Sequence, residues 1–192
     1  MKNWIVKAFH TGGPYENDAA KLVASAEKFD IPIDIEVVKS RGSWNANTHY
    51  KPQSVLNAMN KHQGKSIVHI DVDAWFLQYP ELFDKLDCDF AAYWWRDGTI
   101  LCSGTLWFKN SLPMIGLVQT WDGALKQTPD QHGDQVALGK ILGDRLDQYS
   151  IEKLPPGYLQ ALAPNIIKGE GVIAHDGARK RYVGTAIYTD PK

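Results

Sequence analysis

The sequence predicts an α/β protein: a single domain with an open, mixed but mostly parallel sheet flanked by helices. Three observations lead to this class. Apolar runs of strand length, Trp4 to Phe9, Ile33 to Val38 and Ile67 to Asp73, recur along the first part of the chain. Segments with helical spacing stand between them, and turn residues punctuate the joins. Strand, helix, strand, helix, strand is the pattern of parallel neighbours joined by crossover helices. At 192 residues the chain is long enough for one well-formed core and short for two, so residues 1–192 read as one domain.

Each element has its own local reason. Trp4 to Phe9 is a first strand, closed by the turn residues Thr11-Gly12-Gly13-Pro14. Asn17 or Asp18 can cap the helix that follows, whose Ala19, Leu22, Val23, Ala26 and Phe29 share one face. Ile33 to Val38 is the second strand, after Pro32. Lys39 to Tyr50 is polar, contains Gly42 and several Asn and Ser, and reads as a loop carrying Trp44. Pro52 opens a helix running to about His62, and Ile67 to Asp73 is the third strand. Phe90 to Trp94 and Thr99 to Phe108 are further extended segments, the second with Cys102-Ser103-Gly104 at its centre, where small side chains permit close approach. Leu112 to Leu125 and Gly133 to Leu146 read as helices. Beyond Pro155-Pro156 the chain is loop-rich, with a short apolar Val172-Ile173-Ala174 run before His175.

Composition excludes several classes. Hydrophobic residues make up 44% and charged residues 22%, an ordinary globular balance. Seven Trp and eight Tyr suggest a ring-lined cleft. A net charge of -1 provides no basic field for nucleic acid or an anionic membrane. Cys88 and Cys102 are too few for a disulfide framework or a four-thiolate zinc site, and read as buried small apolar residues. No run approaches the roughly 18 apolar residues of a membrane span, and the start lacks a signal-peptide core, so a cytoplasmic protein is expected.

Chemistry concentrates in two places. Asp71 and Asp73 close the third strand one residue apart, so alternation would point both carboxylates the same way at the sheet's carboxyl edge. Two hard oxygen donors suit Mg or Mn, which keep positions open for phosphate oxygens, and in open α/β sheets ligands sit at that edge. A strand-terminal turn with solvated acids is the plainer alternative. Near the other end stands His175-Asp176-Gly177-Ala178-Arg179-Lys180, where an imidazole could complete a mixed metal shell and an ammonium could neutralise phosphate. A structural hydrogen bonder and a solvated basic face are the plainer readings there.

Together these segments resemble the nucleotide-sugar glycosyltransferases of the GT-A fold, in particular the retaining group that includes glycogenin and the lipooligosaccharide galactosyltransferases. Thr11 to Tyr15 looks like the loop that meets the nucleoside, and Lys51-Pro52 like the basic residue opening the helix before the D-x-D strand. Ser103-Gly104-Thr105, with Phe108 and Asn110, resembles the small-residue segment against the donor sugar. Asp134-Gln135 with Leu138 is similar to the D-Q-x-x-L helix start, and His175 to Lys180 to the H-x-G-x-x-K signature. The chain departs from the pattern at Cys102 or Ser103, where the family usually has Asn, and at Arg181, where a proline commonly follows the lysine.

The resemblance implies metal-dependent transfer of a sugar from a nucleoside diphosphate donor, a UDP-sugar, to an acceptor hydroxyl, with a hexosyl group moved and its configuration retained. Asp71, Asp73 and His175 would hold Mn or Mg. Thr11, Tyr15, Lys51, Asp71, Ser103, Gly104, Gly177 and Lys180 would line the donor site. Lys180 would offset charge on the departing diphosphate, and Asp134, or more weakly Asp130, would face the oxocarbenium-like sugar. Asp134 could instead cap its helix. Tyr15, Trp44 and the pair Trp94-Trp95 are candidates for the ring-lined cleft, and His69, two residues before Asp71, shares its face by alternation. A haloacid dehalogenase type phosphohydrolase with Asp71 as nucleophile also uses D-x-D, although Trp75 stands where that group has Thr. A nucleotidyltransferase and a non-enzymatic sugar-nucleotide binder complete the alternatives.

Overall fold

A computed structural model describes residues 2–96, 98–127, 133–161 and 171–176. The apolar run Trp4–His10 forms β1, and a turn through Gly12 and Gly13, both with positive φ, leads into helix α1, Tyr15–Glu27. That helix begins earlier than Asn17 or Asp18 would place it. Pro14 is its N-cap, without a side-chain cap bond, and Asp18 is buried inside it. Strand β2 is Ile33–Val37. The polar segment read as a loop contains a short helix, α2, Trp44–Thr48, started by the Ser43 side chain accepting from the Ala46 amide. Helix α3 is Lys51–Lys61, with Pro52 in its first turn, and β3 is Ser66–Ile70.

The third strand is therefore shorter than expected. It stops at Ile70, and Asp71 to Asp73 form a turn in which the Ala74 amide donates to the Asp71 carbonyl at 3.0 Å. A short strand β4, Ala74–Phe76, follows at once. Then come β5, Phe90–Trp95, and β6, Ile100–Phe108, with a bulge between Ala92 and Tyr93. Helix α4 is Leu112–Gln127, and α5 is Asp134–Gly143, which ends before the Leu146 expected of it. Strand β7 is Ile151–Lys153, and β8, Gln160–Ala161, with β9, Ile173–His175, ends the described chain.

The main sheet has the order β2-β1-β3-β6-β5-β7. Three of its pairings, β1 with β2, β1 with β3 and β5 with β7, are parallel, and β6 runs against both its neighbours. This is the mostly parallel open sheet expected. One face packs on α1 through Val6, Leu22 and Trp107, the other on α3, α4 and α5 through Ile67, Leu117 and Leu138. The central strand β3 is apolar from Ile67 to Ile70 except for His69, which is buried without exposure. A second, small sheet of order β4-β9-β8 sits beside it and pairs Ala74 with His175. No described helix is long and apolar enough to cross a membrane.

Candidate functional site

The carboxyl edge of β1 and β3 opens into a cleft of about 200 Å³. Phe9, His10 and Thr11 form one wall, Tyr15 and the α2 residues Trp44, Asn47 and Thr48 another, and Lys51, His69, Asp71 and Asp73 the end. Aromatic walls with a few convergent polar groups suit a ring system bearing charged substituents. Tyr15 and Trp44 thus lie where the sequence suggested, whereas Trp94 and Trp95 do not line this cleft, and Trp95 is exposed at the far end of β5. His10, Asn47 and Thr48 escaped sequence reasoning. His10 is nearly buried and accepts the Gly12 amide on Nδ1 at 3.1 Å, so it braces the turn after β1. Its place at a strand's carboxyl end was the one available signal.

At the end of the cleft the polar side chains form a closed cluster. Lys51 Nζ lies 2.9 Å from Asp71 Oδ1 and 2.8 Å from Asp134 Oδ2. The ammonium also donates to Ser103 Oγ at 3.1 Å, and Ser103 Oγ donates to Asp134 Oδ2 at 2.8 Å. Gln135 Oε1 accepts the Ser103 amide at 3.3 Å. Lys51 is 4% exposed and Asp134 5% exposed. Burial acts to lower the Lys51 pKa, but Asp134 and then Asp71 outweigh it and hold the ammonium above its usual range. Burial likewise acts to raise Asp71, yet Lys51 and then His69 hold that carboxyl well below the usual carboxylate range. One ammonium facing two carboxylates leaves the cluster with a surplus negative charge.

Asp134 is not the cap of α5. Gly133 occupies the N-cap, and the Asp134 side chain turns to Lys51 and Ser103. Its backbone carbonyl accepts from Trp121 Nε1 at 2.9 Å, which fastens the helix start to α4.

His175 lies on the other side of Gly104. A β-carbon at Gly104 would stand 3.1 Å from His175 Cε1 and 2.9 Å from Leu159 Cδ1, so any larger residue there requires those side chains to shift. His175 Nε2 is 3.1 Å from Thr105 Oγ1, and burial pushes the ring's pKa down to about 4, so the imidazole is neutral at physiological pH. Among the described residues no three His, Cys, Asp or Glu side chains come together in a group that could hold a metal ion. The expected shell of Asp71, Asp73 and His175 is therefore not assembled: Thr105 engages the His175 ring, and Lys51 engages one oxygen of Asp71. The turn itself is held to the small sheet, since the Asp176 amide donates to the Asp73 carbonyl at 3.1 Å. Gly177, Lys180 and Asp130 lie outside the described residues.

Other expected residues resolve plainly. Asn110 donates to the Met59 and His62 carbonyls at the opposite edge, and Phe108 and Leu138 are core. Cys88 is buried as expected, while Cys102 is only partly so, and both thiols are free.

No family model and no curated protein matches this chain in sequence. The fold does have relatives among solved structures. One is a glycosyltransferase involved in the glycosylation of the major capsid of PBCV-1, which superposes with a TM-score of 0.69 over 90% of this chain and 92% of its own. The two are 11% identical, so the likeness is one of fold.

Proposed function

We propose that this chain transfers a sugar, a hexose, from a nucleoside diphosphate sugar to an acceptor hydroxyl. The observation that carries the reading is the Asp71–Lys51–Asp134–Ser103 cluster, buried except for the partly exposed Asp71, at the end of an aromatic-walled cleft on the sheet's carboxyl edge. The fold shared with the PBCV-1 capsid glycosyltransferase supports it. The nucleoside, taken as uridine from the family resemblance, would lie between Phe9, Thr11, Tyr15 and Trp44.

The donor chemistry of the turn fits a hard divalent cation, Mn or Mg. Such ions bind through one or two carboxylates plus substrate phosphates, and Asp71, held ionised, and Asp73 both border the cleft. Asp71 and Asp73 are the residues that would hold it. When bound, the ion supplies Lewis-acid neutralisation of the diphosphate. The remaining tasks fall to the chain. Asp134, behind Lys51 at the cleft's end and steadied by Ser103, places negative charge toward a ring that becomes electron-poor as its bond to the diphosphate breaks. Lys51 keeps Asp71 ionised and fixes both Asp134 and Asp71 in direction. The acceptor oxygen bonds to the anomeric carbon as the bond from that carbon to the diphosphate oxygen breaks, and the hydroxyl proton passes to the departing diphosphate. Gly177 and Lys180 are assigned the turn and the cation that meet the leaving group, and retention of configuration is the outcome expected from the resemblance.

Incubation with a panel of nucleoside diphosphate sugars and Mn tests the reading. Release of nucleoside diphosphate from one donor, abolished in Asp73→Asn, is expected. Absence of both release and donor-dependent thermal stabilisation across the panel refutes it.

A further inference from the structure

Two donors converge on one oxygen of Asp71. Lys51 Nζ is 2.9 Å from Oδ1, and His69 Nε2 is 3.5 Å from the same atom. The His69 ring has no exposure, borders the cleft, and stacks on Phe9 with centroids 6.2 Å apart. Neither of its nitrogens has a hydrogen-bond partner of ordinary geometry, the approach to Asp71 being at the outer limit of such a bond. Buried polar groups are nearly always satisfied in native proteins, and a buried imidazole left unpaired is destabilising. A phenylalanine or leucine would pack in this strand position without that cost. An imidazole held this close to a carboxylate at a cleft wall is poised for a bond that a small rotation completes.

We propose that His69 is a positioning residue: it donates Nε2–H to Asp71 Oδ1 and, with Lys51, pins that oxygen so that Oδ2 turns toward the cation and diphosphate in the cleft. The proposal rests on the donor-binding reading above. A carboxylate only accepts, so the ring nitrogen facing it carries the proton and Nδ1 does not. The outer torsion of an aspartate is broad, and one donor alone would leave it free to swing. Two donors on the same oxygen, Lys51 from the start of α3 and His69 from β3, fix the carboxylate plane. Stacking on Phe9 in turn holds the imidazole. The geometry parallels the hydrogen bonds that orient metal-binding carboxylates from behind.

The test combines a spectroscopic signature with a binding rescue. Long-range ¹⁵N–¹H spectra of the free protein should show the Nε2–H tautomer at His69, with ring shifts that move in Asp71→Asn. Calorimetric titration of UDP with Mn should be weaker by about tenfold or more in His69→Phe, at undiminished melting temperature, and be restored to within about threefold in His69→Gln, whose amide nitrogen reaches the Nε2 position. An Nδ1–H ring, parental UDP affinity in His69→Phe, or His69→Gln as weak as His69→Phe would each overturn the positioning role. A parent protein that binds no UDP with Mn overturns the donor-binding reading and the ligand assigned here, whatever the tautomer.

Discussion

Replacing Lys51 with Met removes the ammonium at the centre of the site and keeps most of the side chain's volume. The two carboxylates it joins, both with an oxygen within 3 Å of Nζ, then face each other at a nearly closed cleft end. Breaking a buried pair by removing one partner costs about 3–5 kcal/mol. Asp71 is about one-third exposed, which admits water, so the lower end applies and the expected loss is about 3 kcal/mol near neutral pH. For a domain of this size that is about 6–12 °C in melting temperature. The sign of the pH dependence reverses as well. In the parent, Asp71 titrates well below its unfolded value, so it contributes stability that is lost as pH falls through the carboxylate range. In Lys51→Met, mutual repulsion and burial raise at least one carboxyl above its unfolded value, so stability is gained as pH falls from about 7.5 to about 5.5. Urea denaturation at both pH values measures the effect. Adding Asp134→Asn to Lys51→Met should recover about half of the loss, because it removes the same repulsion. A cost below about 1 kcal/mol, or a parental pH slope, would refute the charge argument.

Three further outcomes follow from the same geometry. Asp134→Asn should fold and melt close to the parent yet release nucleoside diphosphate more slowly by about a hundredfold, as measured in steady state; parental turnover would remove Asp134 from the chemistry. Gly104→Ala should lose about 1–3 kcal/mol in urea denaturation, since its β-carbon meets Leu159 and His175, and a neutral result would show that the small sheet yields freely. His175, with its pKa pushed down to about 4 by burial, must take up a proton on unfolding once pH drops below about 6.5, so stability falls between about pH 6.5 and 4, by an amount on the order of 3 kcal/mol. His175→Gln should flatten that part of the urea-midpoint profile, and an unchanged profile would assign the loss elsewhere.

The sequence made the sheet readable where apolar runs are continuous and long. β1, β3, β5 and β6 carry their own signal, because strands largely buried on both faces are written mostly in apolar residues, and β2 carries the alternating signal of Ile33, Ile35 and Val37 with Asp34 and Glu36 between them. The three-residue strands β4 and β7 are not readable, since a run that short has no period and is extended only because a partner pairs with it, whereas the apolar Val172-Ile173-Ala174 run does mark β9. For the same reason the two aspartates were placed on a strand when they form the turn after it. At the site, Lys51, Asp71, Ser103 and Asp134 were each named from motif resemblance, but their meeting on one ammonium could not be read from positions spread across more than eighty residues. The capping alternative for Asp134 failed on a local detail, the helix opening at Gly133. His69 could be placed on Asp71's face by alternation, and the unpartnered state of its ring needed coordinates.

The ladder between β4 and β9 has a kinetic meaning. Ala74 and His175 are register partners separated by about a hundred residues, a loop whose closure is slow and entropically costly before any contact rewards it. Ribosomal synthesis delivers β1, α3 and β3 long before His175 emerges, so the parallel half of the sheet can form while the D-x-D turn still lacks its antiparallel neighbour. The turn that borders the cleft is thus among the last pieces to be locked. Hydrogen exchange should find the β4 and β9 amides opening more readily than those of β1 and β3, which makes the ligand-facing rim the first part of the molecule to loosen and the last to set.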